Sequence, residues 1–325
     1  MVNALYVVGG RQRALRSLMD GNQNWNGYQE GVILRIDPAN GAWDECVTYE
    51  SPVDVVHPED PAITFQAGDI REDVLVVCTQ TEVMRYRLPG FEQIGYFTHP
   101  FFNDLHHVRH TPDGGLLLAN AGLDMVVETT VEGDVLNAWN VLGEEPWQKI
   151  FSGVDYRKQS TKPHRSHPNY LFYIDRQPWA TRFHQGDAIN LERPDERIQI
   201  SSERIHDGVV SDGRVYFTSV NGCLHIANTA TRQIEQVINL NDMHPEETLL
   251  GWCRSLLVDG DQVWVGFSRI RPTKWRQNVT WLVRGFKHVQ PTHIACYDLA
   301  RRECLVEIDL EPMGMNAIYS IFRAG

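Results

Sequence analysis

The sequence predicts an all-β fold, a six-bladed β-propeller, and three observations carry that prediction. One unit recurs at roughly 40-residue spacing: an apolar strand, a turn rich in Asp and Gly, a second apolar strand, then a hairpin of two outer strands. Hairpin turns recur beside each copy and count six by themselves. Strand-like segments at the two ends of the chain complete one another as a single unit. No sustained helical periodicity runs through the repeats.

The clearest copy starts at Asp104, DLHHVRHTPDGGLLLANAGLDMVVETTVEGDVLNAW. Its turn, Pro112-Asp113-Gly114-Gly115, sets residues tolerant of positive φ between two apolar runs. Further copies align on that turn from Ala62, His167, Ile205 and Gly251, the last resuming at Thr292 after an insertion. The remaining unit is divided: Met315 to Ile321 supplies an inner strand, and ALYVVGG, GVILRIDPANG and AWDECVTY supply the other three. A C-terminal strand that joins the N-terminal strands in one blade closes the ring and protects edges that would otherwise invite aggregation. Hairpins at RIDPANGAW, YRLPGFEQI, ETTVEGDVL, INLERPDERI, ANTATRQIE and YDLARRECL complete the count. Residues 1–325 thus read as one domain, with insertions at 142–165 and 269–290 on its rim.

Composition narrows the function. The chain is 42% hydrophobic and 22% charged, as globular proteins are, and its net charge of −12 argues against nucleic acid as a partner. The six cysteines are scattered without a CxxC pair, so no zinc-ribbon spacing exists. Cys296 and Cys304 flank a hairpin, but without a secretory signal reduced thiols and a cytoplasmic location are expected. No stretch approaches the ~18 apolar residues of a membrane span.

In a propeller the first strand of each blade lines the central channel, so function is read at the starts of those strands. Aligned on the turn they read FQAGDI, LHHVRH, HPNYLF, IHDGVV, WCRSLL and MNAIYS. The entrance positions offer Gln66, His106 and His107, His167 and Asn169, His206 and Asp207, Trp252 and Arg254, and Asn316. Strands built only for packing would carry Val, Ile, Gly and Ala here. Three neighbouring blades supply histidine. One metal-holding pattern is His107, His167 and His206 as ligands, with a position left for water or substrate. His106 and Asp207 are then candidates for acid/base work and Arg254 for anion binding, with Gln66, Asn169, Arg182, His184, Trp252, Arg269 and Asn316 as substrate contacts. Adjacent strand residues face opposite sides, so only one of His106 and His107 enters the channel unless the strand is bulged. His57, His99, His225, His244 and His288 read as loop or outer-strand residues.

The insertion at 269–290 carries Arg269, Arg271, Lys274, Arg276, Arg284 and Lys287 without one acid, interleaved with Trp275, Trp281 and Phe286. Such a basic, aromatic flap suits an anionic or sugar-like substrate, or peripheral contact with an anionic membrane.

The run HHVRHTPDGGLLLANAG, followed by GDVLNAW, resembles the strands of arylsulfotransferase-type propellers. The resemblance implies a channel of histidines, an asparagine and an arginine that moves sulfate between phenols through a sulfohistidine. Its counterparts here would be His106 or His107, His167, Asn169, His206 and Arg254. Gluconolactonase-like and NHL-repeat propellers are similar in their Asp-Gly turn, and that likeness implies a divalent metal in the channel. The leading expectation is a metal-dependent enzyme using one divalent ion (Fe, Mn, Zn or Ca) on a small anionic or glycan-like molecule. Hydrolysis, β-elimination, isomerisation and oxidation all remain open. Metal-free histidine group transfer and a non-catalytic binding platform are the alternatives.

Overall fold

The structure, a computed structural model, describes residues 2–13, 27–59, 61–148, 150–246, 248–269 and 288–325, with His288 described by its backbone alone. Six four-stranded antiparallel sheets form the ring. Blade 1 joins the C-terminal strand Ala317–Arg323 to Leu5–Gln12, Tyr28–Ile36 and Trp43–Tyr49. The first strands of the others are Asp69–Arg71 (blade 2), Leu105–His110 (blade 3), Pro168–Ile174 (blade 4), Ile205–Ser211 (blade 5) and Trp252–Asp259 (blade 6). These strands pack against one another around the ring, and Ser320 Oγ accepts from Gly68 N at 3.1 Å where blade 1 meets blade 2.

The apolar runs follow from burial on both faces. In Leu116–Asn120, Leu116 and Leu118 pack toward blade 2, whereas Leu117 and Ala119 pack toward blade 4. In Gln262–Ser268, Val263, Val265 and Phe267 face blade 5, and Trp264 faces blade 1. A strand inside a ring of stacked sheets therefore needs apolar residues at every position, not at alternate ones. Each of the six seams holds its own buried cluster.

Closure needs one glycine. Leu5–Gln12 pairs with Ala317–Arg323 from Leu5↔Arg323 to Gly10↔Ala317, with a register shift between Val8 and Gly9. A Cβ on Gly9 would lie 1.8 Å from Ala317 O, so no other residue fits there without breaking the pairing.

Five of the inner strands are bulged near their entrance ends, at Tyr319, His106, Asn169, Asp207–Gly208 and Ser255, where the pairing skips. Bulges re-aim side chains, and here they decide what faces the channel. The inner strand of blade 2 is shorter than its sequence suggests: Gln66 precedes it, and Ala67 makes only an isolated bridge to His107. All six cysteines are free, and no helix among the described residues is long and apolar enough to cross a membrane.

Candidate functional site

The entrance ends of the inner strands enclose a cavity of about 480 Å³ lined by Gln66, Asp104, His106, Lys162, His164, His167, Phe183, His184, Arg204, His206, Trp252, Arg254 and Tyr319, among others. Blades 3 and 4 gather four metal-ligating side chains on one wall. Asp104 precedes the bulged strand of blade 3 and His106 is the bulge residue itself. His164 and His167 come from the loop that enters blade 4.

The donor atoms converge. His106 Nε2 lies 3.6 Å from Asp104 Oδ1, His164 Nδ1 lies 3.7 Å from Asp104 Oδ2, and the Nδ1 atoms of His164 and His167 are 2.7 Å apart. Asp104, His106 and His167 each place one ligand atom within 4.8 Å of the others. Donors held about 2.0–2.2 Å from one metal stand roughly 3–3.6 Å apart, a spacing that Asp104 and His106 approach, whereas the 2.7 Å between the His164 and His167 nitrogens is that of a hydrogen bond.

Hydrogen bonding fixes the tautomers along this wall. Thr161 donates its hydroxyl proton to Asn103 Oδ1 at 2.8 Å, so the same oxygen accepts from His164 Nε2 at 3.3 Å. The Nδ1 of His164 is then the acceptor of the 2.7 Å hydrogen bond from the Nδ1–H of His167, with the Asp104 carboxylate beside it. Asp104 Oδ2 accepts no hydrogen bond although it is buried, with Lys162 Nζ 3.5 Å away. Burial pushes the Asp104 carboxyl up, yet Lys162 and His106 outweigh it and hold the group well below the usual carboxylate range. Burial pushes His164 down to about 4, and burial with nearby His106 holds His167 well below its ordinary value. These are therefore neutral imidazoles beside an ionised carboxylate, the protonation states that metal ligation needs.

The loop is held in place by Asp124. Its carboxylate accepts from the backbone N–H of Arg165 at 3.1 Å and of Ser166 and His167 at 2.8 Å each. His167 takes φ = 62° and Asp104 φ = 50°, left-handed conformations that cost about 1–3 kcal/mol each and that surrounding contacts must offset. From the other side, Asn103 anchors the inserted segment by donating to Tyr156 O at 2.5 Å and Gln159 O at 2.8 Å.

The rest of the lining carries cations, rings and hydrogen-bond donors. Lys162, Arg204 and Arg254 face the cavity against a single carboxylate, Asp104. Arg254 packs 5.6 Å from the Trp252 ring and 5.0 Å from the Tyr319 ring, and its buried Nε has no hydrogen-bond partner. Neither Arg204 nor Arg254 meets a carboxylate among the described residues. Asn169 donates to Ile205 O and to His206 Nδ1, both at 3.0 Å, and its own oxygen accepts from Thr181. Neutral His206 must then carry its proton on Nε2, so it offers the cavity an N–H and no lone pair. Buried Gln66 Oε1 is likewise unpartnered.

Several sequence-stated positions fall elsewhere. His106, not His107, faces the cavity, because the bulge turns the pair. His107 is fully buried, accepts from Leu171 N at 2.9 Å, contacts Gly68 O at 3.2 Å and stacks on Tyr170. Asp207 lines a separate cavity of about 150 Å³ at the far end with Asp69, Arg109 and Tyr170. Arg182 is buried in a bidentate pair with Asp187 and donates to Val141 O, leaving nothing for a ligand. Asn316 binds Gln12 N at 2.9 Å, and Arg269 pairs with Glu311 at 2.9 Å and with Gln12, so both fasten blade 1. Asn169 acts behind His206 instead of lining the cavity. Gln66, His167, His184, His206, Trp252 and Arg254 do line it. The rest of the basic insertion, 270–287, lies outside the described residues.

Asp104, Lys162, His164 and Arg204 escaped the sequence reading. One signal was legible: His164 and His167 stand three apart in KPHRSHP at the foot of an inner strand.

No protein-family model matches the sequence, and no curated protein does. Among solved structures the chain is similar to a Bacteroides caccae protein of unknown function, with a TM-score of 0.61 at 12% identity over 99% of this chain and 98% of that one. It is also similar to a chain of a nidogen/laminin complex, with a TM-score of 0.54 at 9% identity over 98% and 97%. At such identities the likeness shows the six-bladed propeller fold and nothing further.

Proposed function

We propose that the chain is a metal-dependent enzyme acting on a small anionic or sugar-like molecule at the mouth of its channel. The observation that carries this reading is the convergence of Asp104, His106 and His167, with His164 beside them and a buried carboxylate oxygen that accepts no hydrogen bond. Three imidazoles and one carboxylate suit Mn, Fe or Zn better than Ca, which prefers six to eight oxygens. A metal so held would polarise a substrate oxygen or activate water. The chain's own residues would do the rest. Arg254 and Arg204 hold a carboxylate, sulfate or phosphate, the Nε2–H of His206 donates to a neighbouring oxygen, and Trp252 and Phe183 exclude water from one face of the substrate. The excess of cations in the cavity, against a chain-wide charge of −12, favours an anion.

Elemental analysis by plasma mass spectrometry tests it on tag-free protein and on His167→Ala. The folded variant is expected to hold about one equivalent less transition metal than the parent. A parent that, after incubation with Mn, Fe and Zn, holds no more metal than His167→Ala overturns the reading and returns attention to covalent histidine transfer.

A further inference from the structure

We infer that the outer edge of the seam between blades 5 and 6 is a second metal site, a thiolate–imidazole–carboxylate centre of zinc type formed by Cys304, His244 and Glu307. It lies apart from the channel and does not depend on the function proposed for it. Each of the three side chains brings one ligand atom within 4.8 Å of the others, and His244 Nδ1 stands 3.5 Å from Glu307 Oε2.

The local fold builds this grouping. Cys304 and Glu307 lie three apart on the outermost strand of blade 6, Glu303–Asp309. A regular strand would send them to opposite faces. Here Tyr297 pairs with Cys304 and Cys296 with Val306, so Leu305 is an extra residue and the bulge returns both side chains to one face. His244 arrives from blade 5, ending the 3-10 turn Leu240–Met243 that follows that blade's last strand. Its orientation is fixed from behind: His244 Nε2 and the hydroxyl of fully buried Tyr297 are 2.8 Å apart. With Nε2 so engaged, Nδ1 faces the thiol and the carboxylate, as in metal sites where an outer partner sets the ligating nitrogen.

The donor set names the ion. A thiolate with an imidazole and a carboxylate selects zinc or another borderline metal over calcium or magnesium, and three protein donors leave a fourth position for water. One thiolate and one carboxylate balance a divalent charge. The thiol proton passes to solvent as the metal binds.

Cobalt(II) reports on the site, because a sulfur-to-cobalt charge-transfer band needs a thiolate ligand and the channel cluster contains no sulfur. Titration of the metal-stripped full chain is expected to raise this band to a plateau, reached at one equivalent in His167→Ala where the channel site is disabled, and zinc is expected to abolish it. Cys304→Ser should lose the band while remaining folded, and His167→Ala should keep it. Tyr297→Phe should weaken binding roughly tenfold. A folded parent without the band at excess cobalt overturns the inference, as does a band that survives in Cys304→Ser.

Discussion

The two ends of the channel are built from the same inner strands, yet they treat polar groups in opposite ways. At the far end the groups are satisfied. Asp69 Oδ2 accepts from His110 N at 3.1 Å and stands 3.2 Å from His110 Nδ1, Asp207 accepts from the Thr218 hydroxyl, and both nitrogens of His107 meet backbone of neighbouring blades. At the entrance, Asp104 Oδ2, Gln66 Oε1 and Arg254 Nε make no hydrogen bond. An unmet buried polar atom costs about 1–3 kcal/mol, so a fold keeps such atoms together only where something else meets them. The far end is a fastening between blades, whereas the entrance leaves these atoms at the wall of a cavity.

The sharpest way to break this contrast is His107→Ala. It strands Leu171 N and Gly68 O and empties a buried ring, so a loss of about 3–5 kcal/mol is expected in denaturant unfolding. Metal content should not change. If the folded variant loses its metal, the two ends are not separate in function.

A smaller effect is expected behind the entrance cluster. Asp124→Ala removes the acceptor of three backbone N–H groups and frees the loop that presents His164 and His167. Metal affinity should fall about 10–100-fold, measured by competition with a chelating dye. An unchanged affinity would show that the loop holds its shape without Asp124.

The smallest effect is a pH dependence in which buried histidines at both ends oppose a carboxyl at the far end. His107 and His164, pushed by burial to about 3 and about 4, bind fewer protons folded than unfolded at mildly acid pH. Their contribution to stability is therefore present above about pH 6.5 and is lost on acidification, by roughly 1 kcal/mol each between about pH 6.5 and 5.5. Asp207 runs the other way. Burial raises its carboxyl to about 7, so its contribution is present at low pH and lost as pH rises through that value. The histidines outnumber it. Metal-free protein should lose stability on acidification across that window, and Asp207→Asn should make the loss steeper. A flat profile in both proteins would contradict these protonation states.

What the sequence determined by itself is the frame. Apolar runs such as Leu116–Asn120 or Gln262–Ser268, punctuated by Asp-Gly turns, require sheets covered on both faces, and only a ring of blades covers all of them. The split unit was legible for the same reason: Ala317–Arg323 has no other edge to pair with. The polar starts of the inner strands also showed where a site would open, and His167, His206 and Arg254 stand at its wall.

Only tertiary structure decided which atoms meet. Side-chain parity along a strand follows sequence until a bulge resets it, and a bulge is a property of the pairing between strands. That is why His106 rather than His107 faces the cavity, and why Cys304 and Glu307 share a face. Arg182 looked available until Asp187, across its hairpin, accepted from its Nε and Nη2 while Val141 O accepted from its Nη1. His164 and Lys162 reach the site because an inserted segment folds back over the blade entrance, held by Asn103 and Asp124. Local pattern fixes which surfaces must be buried. The long-range contacts that bury them fix where each polar atom points.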